Sequence, residues 1–143
     1  MPDMQDYTFQ IFALYAAINA LIMLALGMLV VRARVKTRTD IGDGGIAEMA
    51  GPLRAHANNT EYVPMALLLM YALLPLGGSV WLLHGVGIPL TLGRLIHAFA
   101  LSRNVGPSAG RFIGMILTWL AYVVAIVAVA YLAVTTMMAQ PSY

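Results

Sequence analysis

Tyr7 to Val31 runs for twenty-five residues without a formal charge, and that stretch constrains the fold more than any other feature. A helix needs about twenty mostly apolar residues to cross a bilayer, because inside the hydrocarbon the segment must satisfy its own backbone polar groups. Asp3 and Asp6 precede the run with no Lys or Arg, while Arg32, Arg34, Lys36 and Arg38 follow it. A cleaved signal peptide has the opposite arrangement and a shorter apolar region. Two more uncharged runs follow, Tyr62 to Gly93 and Phe112 onward. Apolar residues make up 61% of the chain and charged residues 10%, against about 45–50% and about 25% in soluble domains. A soluble domain of 143 residues cannot keep that much apolar surface from water, and a disordered chain would carry far less of it. The composition is that of an integral membrane protein.

The thirty-two residues from Tyr62 to Gly93 are too many for one span. Pro75, Gly77 and Gly78 interrupt them, and residues that remove a donor or loosen a helix mark a turn. The sequence therefore predicts one all-α membrane domain over residues 1–143, a four-helix bundle with helices at about 7–31, 47–74, 79–101 and 111–138. Asp40, Gly42, Asp43, Gly44 and Gly45 give a turn in the first loop, and Pro52 suits the first turn of the second helix. Five of the eight basic residues lie in 32–61, and Arg103 and Arg111 lie in 102–111. The excess of Lys and Arg marks the cytoplasmic side, so both termini are expected on the non-cytoplasmic side. With so few charges in all, no nucleic-acid surface is expected.

Charged side chains within spans are costly, about 2.5–3.5 kcal/mol each at the bilayer centre on insertion scales, and so are functional candidates. Arg54, Asn58 and Glu61 are spaced i, i+4, i+7, on one face of the second helix. Arg94 and His97 sit near the end of the third helix, and Arg111 opens the fourth. Topology brings these three helix ends to one side, so a single polar cluster is expected there. Each residue alone has a structural reading. Arg54 and Arg111 can snorkel to lipid phosphates, Glu61 can pair with Arg54 or Arg94, and Asn58 and His97 can join helices. Together, three arginines around one glutamate leave positive charge unmatched and suit an anion. With no cysteine in the chain, a thiolate metal site and a cysteine nucleophile are excluded, and no metal is expected. His84 and His97 are thirteen residues apart on one helix, about 20 Å by helical rise, which is unsuitable for one haem. Gly110 and Gly114 form a small-residue packing motif.

Arg54-Ala-His-Ala-Asn58-Asn-Thr-Glu61-Tyr62-Val-Pro64 resembles the signature of the MAPEG family, the membrane-associated proteins of eicosanoid and glutathione metabolism: Arg, three residues, Asn, two residues, Glu, then Tyr-x-Pro. Gly93-Arg94-Leu-Ile-His97 is also similar to the family's third helix, and the resemblance covers nearly the whole chain. It implies a homotrimer in a membrane, here a bacterial inner membrane, with sites between subunits near the cytoplasmic face. By that resemblance Arg54, Asn58, Glu61, Tyr62, Arg94 and His97 hold glutathione as cosubstrate, and Arg111 is the thiolate-activating arginine. The implied activity is glutathione transferase or peroxidase chemistry on a lipophilic small molecule. Glutathione has two carboxylates for arginines, an ammonium for Glu61 and amides for Asn58, and it brings the thiol that a cysteine-free chain lacks. Leu101 stands where the family's enzymes place a glutathione-contacting tyrosine, and Arg111 aligns with the activating arginine if the third loop is about one residue longer than in the animal prostaglandin synthase. The family also contains the lipoxygenase-activating protein, which presents lipid without chemistry, and a lipid- or fatty-acid-binding trimer is the second expectation.

Overall fold

The computed structural model describes residues 7–103 and 106–139. Four helices follow in order, α1 (Thr8–Thr37), α2 (Ala47–Ala72), α3 (Val80–Arg103) and α4 (Ala109–Ala139), with no strand among the described residues. α1, α3 and α4 are long and apolar enough to cross a membrane. α2 has 26 residues, about 39 Å at 1.5 Å per residue, which is also sufficient for a hydrocarbon core of about 30 Å. Its first half, however, carries Glu48, Arg54, Asn58, Asn59 and Glu61, so only the half from Tyr62 onward is apolar.

α1 continues beyond the expected end at Val31 to Thr37. Its basic residues leave the apolar layer without leaving the helix. The stop comes where Arg38 takes a left-handed conformation, φ 55°, with its N–H on the Arg34 carbonyl. The Arg34 guanidinium then donates to the carbonyls of Thr39 (3.1 Å) and Asp40 (2.9 Å), and Lys36 pairs with Glu48 at the start of α2. Arg34 and Lys36 thus serve the loop itself. Pro52 is not in the first turn, because α2 begins at Ala47. The expected hairpin between α2 and α3 forms with Gly77 at φ +74° and the Gly78 N–H on the Leu73 carbonyl at 2.8 Å.

α1 packs on α2 and α3, and α4 packs on α3 and α2. The backbones of α3 and α4 meet closely: a Cβ added at Gly93 would lie 2.8 Å from the Gly114 carbonyl oxygen, and one at Gly114 would lie 2.6 Å from the His97 Cβ. Gly114 of the expected packing motif is therefore spent on α3 of the same chain. The interior is layered. Tyr15, Ala66, Met70, Leu83, Leu90 and Ala121 form the larger apolar core, and Leu26, Ala55, Ala98 and Leu101 form a smaller one toward the basic end. Between them lie the buried polar residues Asn59, Arg94, His97 and Thr118. Exposed Tyr7, Tyr71, Trp81 and Tyr131 mark helix ends opposite to the basic ones, as aromatic residues do at a membrane interface.

Candidate functional site

Arg94 is the largest fully buried side chain, 1% exposed. A guanidinium keeps its charge and presents five donors, so burial requires acceptors nearby. α4 supplies most of them. Nε and one terminal nitrogen of Arg94 donate to the Thr118 hydroxyl oxygen at 3.0 and 2.6 Å, and that nitrogen also lies 3.5 Å from the Met115 sulfur. The other terminal nitrogen donates to the Asn58 amide oxygen at 2.7 Å. The Tyr62 ring completes the shell, its centroid 5.3 Å from the guanidinium carbon. Tyr62 is held by α4 in turn, since the Tyr122 hydroxyl donates to its carbonyl at 2.6 Å and the two rings meet edge to face. No carboxylate takes part. Hydroxyl, amide, sulfur and π-face together spread the charge of one arginine over two neighbouring helices.

One turn further along α3, the buried His97 places Nδ1 3.1 Å from the Arg111 carbonyl oxygen. A carbonyl only accepts, so Nδ1 carries the proton and a neutral ring leaves Nε2 as an acceptor. The Arg111 guanidinium donates to the Gly106 carbonyl at 2.7 Å, which ties the head of α4 to the loop before it. Thr118 also donates to the Gly114 carbonyl at 2.8 Å.

Of the residues expected to converge, Asn58, Tyr62 and Arg94 form one bonded cluster, with His97 and Arg111 joined to each other beside it. Arg54 and Glu61 do not join them. Both are exposed on the outer side of α2, and the one ion pair among the described residues is Lys36–Glu48. The expected pairing of Glu61 with Arg54 or Arg94 is therefore absent from the subunit. Seven residues of helix carry Glu61 back over Arg54, while Asn58 lies just far enough round the helix to reach inward. Leu101 is buried against Leu26, Ala55 and Ala98.

Thr118, Met115 and Tyr122 were not anticipated. The available signal was the spacing of four through Gly110, Gly114, Thr118 and Tyr122, which sets small and polar residues on one face of α4. Also unanticipated were Asn19, whose amide nitrogen donates to the Thr91 hydroxyl at 2.9 Å, and the Tyr15 hydroxyl, 2.9 Å from His84 Nδ1.

Comparison with known proteins identifies the family. The family model described as "MAPEG family" matches residues 12–131, a range that includes α2 and α3, most of α1 and α4, and the whole polar layer. Two curated relatives, each called "Inner membrane protein YecN", from Escherichia coli (strain K12) and Escherichia coli O6:H1, are each 36% identical over 116 residues, covering 81% of this chain and 87% of the relative. No solved structure is significantly similar. A multi-pass helical membrane bundle with the Arg54–Pro64 signature at the head of α2, matched along most of its length, belongs to the MAPEG family.

Proposed function

We propose that the protein binds glutathione and delivers its thiol to lipophilic molecules, as a homotrimer with sites between subunits at the cytoplasmic face of a bacterial inner membrane. The observation that carries this reading is the outward placement of Arg54 and Glu61. They share a helical stripe with Asn58, yet both face away from their own subunit and lack an ion-pair partner among the described residues. Charges kept on a membrane helix at that cost call for a partner from outside the subunit. Glutathione offers carboxylates to Arg54 and an ammonium to Glu61. Asn58 and Tyr62 sit at the boundary between this outer face and the buried Arg94, which orients them from behind. Arg111 heads α4 at the same end of the bundle. A thiol of pKa near 8.5 is mostly protonated at neutral pH, and a guanidinium within about 4–6 Å favours the thiolate. The thiolate would then displace a leaving group from an electrophilic carbon, or cleave the O–O bond of a hydroperoxide to give the alcohol and a sulfenic acid, which a second glutathione would reduce to the disulfide with release of water.

A second reading, a non-catalytic trimer that holds a lipid or fatty acid, is favoured by Leu101. Its position supplies no hydroxyl, and its side chain is turned into the core with 5% exposure. Calorimetric titration of the detergent-solubilised protein with glutathione separates the two readings, with stopped-flow absorbance following the thiolate. Binding with a thiolate signal is expected. No binding would move the protein to the lipid-holding reading.

A further inference from the structure

Away from the polar layer, α1 and α3 enclose an open groove of about 550 Å³. Leu21, Ala25 and Leu29 form one wall, and Leu95, Ala98 and Phe99 form the other. Nearly everything along its length is apolar. At the basic end of the bundle it closes on Ser102 and Arg103. The Arg103 guanidinium carbon lies 3.9 Å from the centroid of the Phe99 ring, so a residue of the groove wall holds the cation at the mouth. Ser102 has a buried hydroxyl with no hydrogen-bond partner. The same serine borders an adjoining hollow that contains Arg32, Lys36 and Glu48. Lys36 is neutralised there by Glu48, while neither Arg32 nor Arg103 is ion-paired among the described residues.

We infer that this groove seats one acyl chain of an anionic phospholipid from the surrounding bilayer, with the phosphate at Arg103 and Ser102 and Arg32 at its edge. The apolar walls by themselves accept any acyl chain. The charge at the mouth selects among headgroups: two unmatched cations attract a net negative lipid and gain less from a zwitterionic one, whose ammonium brings repulsion. Basic pockets between transmembrane helices at the cytoplasmic level bind anionic headgroups in this way. The site lies on one subunit, and it needs neither glutathione nor the residues assigned to it.

The cysteine-free chain makes the test direct. An Ala25→Cys protein carrying one fluorophore on the groove wall is reconstituted in phosphatidylcholine vesicles, with brominated phosphatidylglycerol or brominated phosphatidylcholine as quencher. Each of the two cations is expected to favour phosphatidylglycerol about fivefold, the factor that corresponds to about 1 kcal/mol per interfacial cation, so the Ala25→Cys protein should prefer it by about 25-fold. Adding Arg103→Gln should cut that preference about fivefold, and adding Arg32→Gln as well should bring the two quenchers level while quenching itself persists. Equal quenching by both lipids in the Ala25→Cys protein overturns the proposal, as does a preference that Arg103→Gln leaves unchanged. Absence of quenching by either lipid also overturns it, since another chain would then cover the groove.

Discussion

Replacing Thr118 with valine removes one oxygen and keeps the shape of the side chain, so it isolates the contact that holds Arg94. The hydroxyl oxygen accepts two bonds from one guanidinium, at 3.0 and 2.6 Å. Hydrogen bonds between neutral groups across membrane helices average about 0.6 kcal/mol, whereas bonds to charged groups contribute about 1.5–3 kcal/mol. A buried guanidinium belongs to the second class. The two bonds share one oxygen and count as a single contact, so Thr118→Val should destabilise the subunit by about 1.5–3 kcal/mol. Unfolding in mixed detergent micelles with rising SDS, followed by circular dichroism, measures this. The mechanism has a further signature. Arg94→Met removes the donor, and Thr118 still has the Gly114 carbonyl as partner. The double variant Arg94→Met/Thr118→Val should then cost little more than Arg94→Met alone, because a charge that is absent cannot be left unsatisfied. A single-variant effect below about 0.6 kcal/mol, or two effects that simply add, would refute the idea that Thr118 stabilises a buried cation.

Gly114→Ala should open the α3–α4 crossing, since its Cβ would stand 2.6 Å from the His97 Cβ; the same SDS titration should show a loss of about 1–3 kcal/mol, and wild-type stability would mean that the helices part freely. Glu61→Gln should weaken glutathione binding about tenfold or more, as expected on losing a charge-assisted bond, while oligomers seen by light scattering in detergent persist; disassembly would instead make Glu61 a structural link between subunits. Arg111→Ala should lower thiol transfer to a chromogenic electrophile about tenfold for each pKa unit the cation supplies, with a smaller effect on affinity by calorimetry; an equal loss in both would reassign Arg111 to binding. Reporters fused to the C-terminus and inserted at Gly44 should lie on opposite sides of the membrane, the latter cytoplasmic, and a cytoplasmic C-terminus would remove the basis for placing the site.

Long uncharged runs, with Pro75, Gly77 and Gly78 to divide the second, were enough to read four helices, because bilayer thickness and backbone hydrogen bonding leave a chain of this composition few alternatives. The same local logic put Arg54, Asn58 and Glu61 on one stripe of α2, since helical spacing is a property of the segment itself. It could not tell which edge of that stripe turns inward. That depended on where α3 and α4 lie, and the outcome separates Asn58, bonded to Arg94, from the exposed Arg54 and Glu61. Nor does spacing reveal that Arg94 is held by a threonine twenty-four residues away rather than by a carboxylate. An acceptor for a buried charge is chosen by proximity in space, and here that proximity is created by Gly93 and Gly114, which let α3 and α4 approach until the Thr118 hydroxyl comes within bonding distance of the guanidinium.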